Sequence, residues 1–235
     1  MRPDGRPAGR MRPVSLERGV NPLAEGSCMV RFGDTHVLCT ASVEAGVPAW
    51  RRDSRLGWLT AEYAMLPRAT TQRTARERRG AGGRTSEIQR LIGRSLRVAL
   101  STFAFGDYTI YVDCDVLRAD GGTRTAAITG GAVAVADACA WLAGETGIAN
   151  PFGRLVAAVS VGLVEGEHRV DLSYVEDRAA DVDANIVMAE PERFVEVQVS
   201  AEGAPYARTD LDGFVDLGAR AVQDLFAAQR RALGR

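Results

Sequence analysis

The segment from Asp113 to Thr125 has the residue types and spacing of a phosphate-binding turn. We predict a strand, a tight glycine turn and the start of a helix, in that order. The helix entrance carries Gly121, Gly122, Thr123 and Arg124. Unpaired backbone N–H groups and the helix dipole favour an anion there, and a hydroxyl beside a guanidinium makes phosphate the expected ligand. The competing interpretation is an ordinary strand-to-helix turn whose arginine faces water.

A second candidate anion site centres on Arg84, which follows a pair of glycines. The pattern Ser86-Glu-Ile-Gln89 is typical of a helix N-terminus with a capping box, so Arg84 is expected just before a helix. From that position a guanidinium can bind a phosphate through two hydrogen bonds while the helix adds N–H donors. A surface arginine at the end of a loop is the alternative.

Three aspartates crowd the short segment that ends at Asp183, the other two being Asp177 and Asp181. Close carboxylates repel each other unless a cation or a proton lies between them. Because no histidine or cysteine is near, oxygen-only ligation points to Mg²⁺ or Mn²⁺. The alternative is a solvated acidic loop without a metal.

The loop predicted over residues 67–84 is polar and rich in arginine. Arginines spaced as Arg68, Arg73 and Arg76 are on a loop suit a nucleic-acid backbone, with strong salt dependence. The loop has no aromatic residue, so it gives no indication of base stacking. A solvated charged loop is the alternative here.

The overall composition does not identify a binding partner, but the distribution of charge along the sequence is informative. The 235 residues carry a formal net charge of -1, and all 29 basic residues are arginine. The charge is uneven, with nine arginines and two acids between Arg68 and Arg97, but fourteen acids and four arginines between Glu165 and Asp216. This asymmetry suits a polyanion-binding surface beside a carboxylate site.

The four cysteines form no CxxC pair, so we expect reduced thiols in an intracellular protein. The N-terminal residues lack the apolar core of a signal peptide. The longest apolar run, Thr125 to Ala143, contains Asp137 and many small residues, and is predicted to be a buried helix. The expected location is therefore the cytoplasm, with no membrane partner.

Hydrophobic periodicity predicts a single α+β domain over residues 1–235. Residues 28–43 should form a β-hairpin that turns at Gly33-Asp34. The other predicted elements are a loop over 46–57, strands over 58–65, 107–117, 155–165, 168–174, 184–190 and 193–200, a helix beginning at Ser86, a helix over 125–143, and a last helix capped by Thr209. No Walker loop or dinucleotide fingerprint occurs.

Taken together, two arginine-centred anion sites, a carboxylate cluster and a basic loop indicate phosphoryl chemistry on a polynucleotide. The residues alone leave open whether water or phosphate is the nucleophile. They also leave open a metal-dependent hydrolytic nuclease, which would release monophosphates.

Many blocks of this sequence, in order, resemble the ribonuclease PH family of bacterial phosphorolytic 3′-exoribonucleases, which trim tRNA ends. They include Met1-Arg-Pro3, Ala24-Glu-Gly-Ser27, Phe32-Gly-Asp-Thr35, Thr60-Ala-Glu-Tyr63, Met65-Leu-Pro-Arg68, Gly82-Gly-Arg-Thr85, Glu87-Ile-Gln-Arg-Leu-Ile92, Ala119-Asp-Gly-Gly-Thr-Arg-Thr125 and Val175-Glu-Asp177. The resemblance implies a β-α-β sandwich with mixed sheets, related to a ribosomal-protein domain (S5 domain 2), and a homohexameric ring built as a trimer of dimers.

The resemblance also implies roles for individual residues. Phosphate binding is implied for Arg84, Gly122, Thr123 and Arg124, the two arginines also counting as catalytic. Catalytic acids that bind a divalent metal, Mg²⁺ or Mn²⁺, are implied at Asp177 and Asp183, and another acid of undefined role at Asp181. Contacts with tRNA are implied for Arg68, Arg73 and Arg76.

The activity implied is a tRNA nucleotidyltransferase reaction on tRNA precursors and other RNA 3′ ends, rRNA processing included. Inorganic phosphate would attack the last phosphodiester bond and release a nucleoside diphosphate, and the reverse addition of nucleotides would also occur. A catalytically silent RNA-binding ring subunit remains an alternative, although the candidate arginines and aspartates together argue against it.

Overall fold

The computed structural model describes residues 2–77, 80–203 and 205–235, so Met1 of the first matching block lies outside the described residues. Two β-sheets contact opposite sides of a long helix. The first sheet has the strand order β1-β2-β3-β5-β4. Its strands are β1 (Val14–Arg18), β2 (Gly26–Phe32), β3 (Thr35–Ala45), β4 (Trp58–Met65) and β5 (Tyr108–Arg118).

The second sheet is antiparallel throughout and has the order β7-β6-β8-β9. Its strands are β6 (Val156–Val164), β7 (Glu167–Val170), β8 (Val182–Ala189) and β9 (Arg193–Ala201). The helices are α1 (Gly83–Val98), α2 (Thr123–Thr146), α3 (Tyr174–Ala179) and α4 (Arg208–Leu233). The α+β class predicted from the sequence is confirmed.

Helix α2 is buried on nearly every face because its alanines and glycines let both sheets approach closely. A Cβ atom added at Gly130 would lie 2.5 Å from Cγ1 of Val30 on β2. Among the described residues, α2 is the one helix long and apolar enough to cross a membrane, and most of it is packed inside the protein. The prediction of a buried core helix is therefore confirmed.

Local turn chemistry was predicted correctly at the first hairpin. Gly33 has a φ of +53°, a left-handed conformation that glycine adopts without steric cost, and Phe32 pairs with Thr35 across the two-residue turn. All four cysteines are free and buried, and burial raises the pKa of Cys28 to about 12. They are core thiols, as the sequence predicts.

Several predicted helix boundaries were wrong. Helix α1 begins at Gly83, so Ser86 lies inside it, and its hydroxyl donates to the carbonyl of Ala81 at 3.3 Å instead of capping the helix. Helix α2 begins at Thr123, two residues earlier than predicted. Helix α4 begins at Arg208 because the Asp210 carboxylate accepts from the backbone N–H of Ala207 at 2.9 Å, so Thr209 is not its cap.

Two further predictions missed short helices. The predicted loop over 46–57 contains a 3₁₀ helix, Ala49–Ser54. The strand predicted over 168–174 ends at Val170, because the next residue, Asp171, has a left-handed φ of +54°. Ser173 then caps α3 through a capping box with Glu176, a start signal that the sequence contained.

Candidate active site

The glycine turn between β5 and α2 is positioned by contacts on two sides. Gly121 and Gly122 have φ values of +74° and +67°. A Cβ at Gly121 would overlap the carbonyl oxygen of Leu172, so only glycine allows this approach. Thr35 on β3 fixes the turn from the other side, donating to the carbonyl of Gly121 at 2.6 Å and accepting from the N–H of Asp120 at 2.9 Å.

Thr123 and Arg124 are the first two residues of α2, where backbone N–H groups lack intrahelical partners. The Thr123 hydroxyl is hydrogen-bonded to the Tyr63 hydroxyl at 2.8 Å. Arg124 donates to Glu87 on α1 at 3.2 Å and to Gln198 on β9 at 3.3 Å. The predicted strand, turn and helix entrance are therefore confirmed, and an anion at this point would meet a hydroxyl, a guanidinium and the N-terminus of a 24-residue helix.

Arg84 is the second residue of α1 and is exposed to solvent. Within the described residues, it has no ion-pair partner within 4 Å. Its charge nevertheless reaches the same site, because Arg84 and Arg124 both lower the pKa of Asp177 against the larger, opposing effects of burial and Asp183. An arginine in the first turn of α1 and one in the first turn of α2 thus both act electrostatically on Asp177.

The two carboxylates come from different elements. Asp177 lies on α3 and Asp183 on β8. Burial and then repulsion from Asp183 raise the pKa of Asp177, while burial and then Glu202 raise the pKa of Asp183. In the part of the chain that the structure describes, neither carboxylate forms an ion pair within 4 Å, so Arg84 and Arg124 act on them only through space and do not outweigh burial and repulsion.

The expectation that three aspartates crowd one turn was wrong for Asp181. Asp181 is exposed in the connection before β8, where its backbone pairs with Leu163 and Glu202. Besides Asp177, with which its repulsion is mutual, Asp183 has Glu202 as an acidic neighbour, just beyond the end of β9, and Glu202 raises its pKa. Nothing in the sequence indicates this, because it depends on the register between β8 and β9.

The donor set of Asp177 and Asp183 fits a hard divalent cation. Both donors are carboxylate oxygens, and the repulsion that raises the pKa of Asp177 is relieved when a cation lies between them. No group of three or more acidic, histidine or cysteine side chains suited to a metal occurs in residues 2–77, 80–203 and 205–235. A cation here would take its remaining ligands from water or substrate, as Mg²⁺ commonly does.

Three polar residues of the site were not predicted from the sequence. Tyr63 on β4 is 4% exposed, and burial raises its pKa although Thr123, Arg84 and Arg124 oppose that change. Glu87 and Gln198 hold the Arg124 side chain from two sides. Alternation along β4 could have identified Tyr63 as inward-facing, but its partner Thr123 is 60 residues away.

Of the three arginines of the basic loop that were predicted to bind RNA, one lies beside the candidate site. Arg76 and Arg84 line a cleft of about 660 Å³ between the loop, β4 and α1. Arg68 and Arg73 are exposed but do not line this cleft. The predicted loop over 67–84 also contains Arg78 and Arg79, which lie outside the described residues.

Comparisons with known proteins agree on one family. Residues 10–140 match the model of the 3′ exoribonuclease family, domain 1, and residues 154–221 match that of domain 2. The chain is 52% identical over 236 residues to ribonuclease PH of Nocardia farcinica, covering 99% of this chain and 92% of the relative.

Solved structures with the same fold include three at low sequence identity. Rice (Oryza sativa) Rrp46 superposes with a TM-score of 0.82 at 21% identity, over 100% of both chains. The Archaeoglobus fulgidus exosome with RNA bound to the active site gives 0.80 at 22% identity, over 95% of this chain and 91% of that one. An archaeal exosome core gives 0.77 at 21% identity, over 98% and 90%. These likenesses confirm the fold that the sequence resemblance implied.

Proposed function

Since this chain belongs to the 3′ exoribonuclease family, we propose that it trims the 3′ ends of tRNA precursors and other RNAs by phosphorolysis. The observation that carries the proposal is the contact of the glycine turn, which leads into Arg124, with residues 172–174, which lead into Asp177 on α3. The charges of Arg84 and Arg124 act on both Asp177 and Asp183. Phosphate and RNA would meet there, between two basic helix N-termini and an acidic pair. The name of the Nocardia farcinica relative, ribonuclease PH, supports the same reaction.

In this reaction an oxygen of inorganic phosphate attacks the phosphorus of the last phosphodiester bond. The bond to the 3′ oxygen of the preceding nucleotide breaks, and that oxygen takes the proton of the hydrogenphosphate. The products are RNA shortened by one nucleotide and a nucleoside diphosphate. A phosphodiester bond is exchanged for the phosphoanhydride bond of the nucleoside diphosphate, and no bond is lost to water, so the reverse addition of nucleotides is expected as well.

The basic and the acidic residues of the site would have different roles. Arg84, Thr123 and Arg124, with the N–H groups that follow Gly122, would hold and orient the attacking phosphate. Asp177 and Asp183 would hold Mg²⁺ or Mn²⁺, which when bound supplies positive charge beside the attacked phosphate. Tyr63 holds the Thr123 hydroxyl in place at 2.8 Å. The exposed Arg68, Arg73 and Arg76 would contact the tRNA backbone.

We further propose a homohexamer arranged as a trimer of dimers, acting in the cytoplasm. Strand β9 is an outer strand of the second sheet and exposes Phe194 and Val197, which are 49% and 39% accessible. Exposed apolar side chains on an edge strand are usually covered by another chain. Two structural neighbours belong to assemblies, an exosome and an exosome core. Light scattering of the purified protein measures the number of subunits directly.

The decisive experiment uses a 3′-labelled tRNA precursor with Mg²⁺, with and without inorganic phosphate, and identifies the released nucleotide. We expect nucleoside diphosphate that requires added phosphate. Monophosphate released without phosphate would mean a hydrolase, and RNA binding without release would mean a silent RNA-binding subunit. Arg90→Gln is the matched control for Arg84→Gln, because both arginines are exposed on α1 and Arg90 lines a different groove. Only Arg84→Gln should lose diphosphate release.

A further inference from the structure

A group of buried charges lies directly behind the candidate active site and was not identified from the sequence. We call it the anchor cluster, and its members are Arg2, Arg6, Arg12, Asp120, Asp171 and Glu176. Four of its side chains are almost completely buried: those of Arg2, Arg12, Asp171 and Glu176 are 1%, 5%, 1% and 2% exposed. The N-terminal segment supplies all three arginines, so residues 2–12 are tied to the rest of the fold through this cluster.

Arg12 joins two separate segments with one planar group. Its Nε and Nη2 atoms donate to the two carboxylate oxygens of Asp171 at 2.9 and 2.7 Å. Its Nη1 donates to the carbonyl of Asp120, and its Nη2 also donates to the carbonyl of Gly121 at 3.3 Å. The guanidinium therefore holds the glycine turn on one side and Asp171 on the other.

Each of these segments leads straight to one half of the active site. The glycine turn continues into Thr123 and Arg124 at the start of α2. Asp171 continues through Leu172 and Ser173 into α3, which carries Asp177. The two segments also touch, because the N–H of Tyr174 donates to the Asp120 carboxylate at 3.2 Å. Arg12 thus lies at the point where the spacing between the phosphate-binding turn and the acidic helix α3 is set.

Asp171 adopts a backbone conformation that depends on these contacts. Its φ of +54° is unusual for a residue with a side chain. Its carboxylate accepts the backbone N–H of Arg12 at 2.8 Å, and its carbonyl accepts from Arg2 at 3.1 Å and Arg6 at 2.7 Å. The sharp turn that directs the chain from β7 into α3 is held by the arginines of the N-terminal segment.

The charges of the anchor cluster are matched within the protein: Arg2, Arg6 and Arg12 pair with Asp120, Asp171 and Glu176, and Arg169, 3.7 Å from Glu176, has its own acids in Glu165 and Glu167. A balanced cluster adds little net field to the site, so its influence on the reaction must act through position. A small displacement between reacting groups is costly, since a shift of about 1 Å can reduce a rate about a hundredfold.

We propose that Arg12 is a positioning residue for phosphorolysis. It keeps the phosphate-binding turn and the Asp177 helix at a fixed separation and touches neither substrate. The inference rests on the proposed function, because it assigns Arg12 a role in that same reaction.

The test is Arg12→Lys, because an ammonium keeps the charge but cannot bind Asp171 and the turn carbonyls together. At saturating phosphate and RNA, well below the melting temperature, we expect kcat to fall about ten- to a hundredfold. The KM for RNA should stay within about twofold, since no RNA contact is removed. Thermal unfolding is measured in parallel to separate misplacement from loss of folded protein.

The matched control is Arg169→Lys. Arg169 is equally buried, donates to Glu165 at 3.0 Å and Glu167 at 2.8 Å, and lies 3.7 Å from Glu176 of the anchor cluster. Among the described residues, it forms no hydrogen bond or ion pair with the glycine turn or with Asp171. We expect it to lose thermal stability while keeping kcat. If Arg12→Lys keeps a wild-type kcat, or loses no more than Arg169→Lys, the positioning role is wrong.

Asp120→Ala covers the case in which Arg12→Lys does not fold. The Asp120 side chain is 34% exposed, and its removal breaks the ion pair with Arg12 and the hydrogen bond from Tyr174, while the carbonyls of residues 120 and 121 still accept from Arg12. Because only part of the link is removed, we expect a smaller fall in kcat than in Arg12→Lys, with little change in the KM for RNA, and a folded variant with wild-type kcat would overturn the proposal. A wild-type protein without phosphate-dependent release would contradict the proposed function as well, whereas an active wild type with unaffected variants contradicts this inference alone.

Discussion

Two carboxylates one residue apart on α3 lie in opposite electrostatic environments. Glu176 enters the anchor cluster, where Arg2 donates to its two oxygens at 2.7 and 2.9 Å and the Ser173 N–H donates at 3.0 Å. Burial would raise the pKa of Glu176, but these hydrogen bonds outweigh it and lower the pKa. Asp177 faces the candidate site, where burial and Asp183 raise its pKa.

The arginines of the two regions differ in the same way. Arg2 and Arg12 are buried and have their partners within the protein. Arg84 is exposed and, among the described residues, has no acid within 4 Å. The anchor cluster is therefore complete without a ligand, whereas the active site carries charges of both signs that phosphate, RNA and a divalent cation would balance. Charge that is paired inside the protein is costly to unpair, so these pairs fix the fold, whereas charge without a direct partner in a cleft is available to bind substrate.

The largest expected effect is on turnover when an unpaired carboxylate is removed. Asp183→Asn should lower kcat about a thousandfold, because the loss of metal-held charge at the attacked phosphate costs several kcal/mol. RNA affinity, measured by filter binding, should change less than about threefold, since the RNA contacts remain. Asp181→Asn is the control, and equal losses in both variants would contradict the distinction between these aspartates.

The matching change in the anchor cluster should affect folding instead. Glu176→Gln leaves the buried Arg2 without its negative partner and should lower the free energy of unfolding by about 3 kcal/mol. Denaturant unfolding measures this change. Asp177→Asn, one residue along, should not destabilise the protein, and a similar loss there would remove the contrast between the two environments.

Removing a phosphate ligand should have an intermediate effect. Arg124→Gln should raise the KM for inorganic phosphate about 30- to 150-fold, since one hydrogen-bonded charge partner contributes roughly 2–3 kcal/mol. The comparison with Arg94→Gln controls for charge, because Arg94 pairs with Glu196 away from the glycine turn. An unchanged KM for phosphate in the Arg124 variant would mean that phosphate binds at a different site.

Glu176 and Asp183 should make opposite contributions to the pH dependence of the protein's stability. Glu176 has a lowered pKa in the folded state, so its contribution is present at neutral pH and is lost as the pH falls through that lowered value. Asp183 has a raised pKa, so the folded protein binds protons more readily and is penalised as the pH rises above about 4. Without metal, Asp183→Asn should raise the melting temperature by about 1–4 °C at pH 7, and the gain should vanish below pH 4.

The smallest expected effect belongs to the loop arginines. Arg73→Gln should weaken tRNA binding about threefold and reduce the slope of log affinity against log salt by about 1, because one phosphate contact is lost. Arg208→Gln, another exposed arginine far from the cleft on α4, should leave both quantities unchanged. Equal changes in the two variants would mean a general effect of charge.

Much of this protein could be predicted from sequence because the relevant physics is local. The Gly33 hairpin, the buried α2 and the turn before Thr123 all follow from backbone preferences and hydrophobic pattern over a few residues. The candidate residues Arg84, Arg124, Asp177 and Asp183 were also identified from short segments.

Only the tertiary structure decided which residues complete the site and which hold it. Glu202 rather than Asp181 acts on Asp183, and Arg12 meets Asp171 across 159 residues of chain. Such pairings depend on strand register and on the packing of separate segments, which no local pattern encodes. The sequence by itself therefore determined the chemistry that is available, and the packing of the two sheets around α2 determined which charges remain unpaired to perform it.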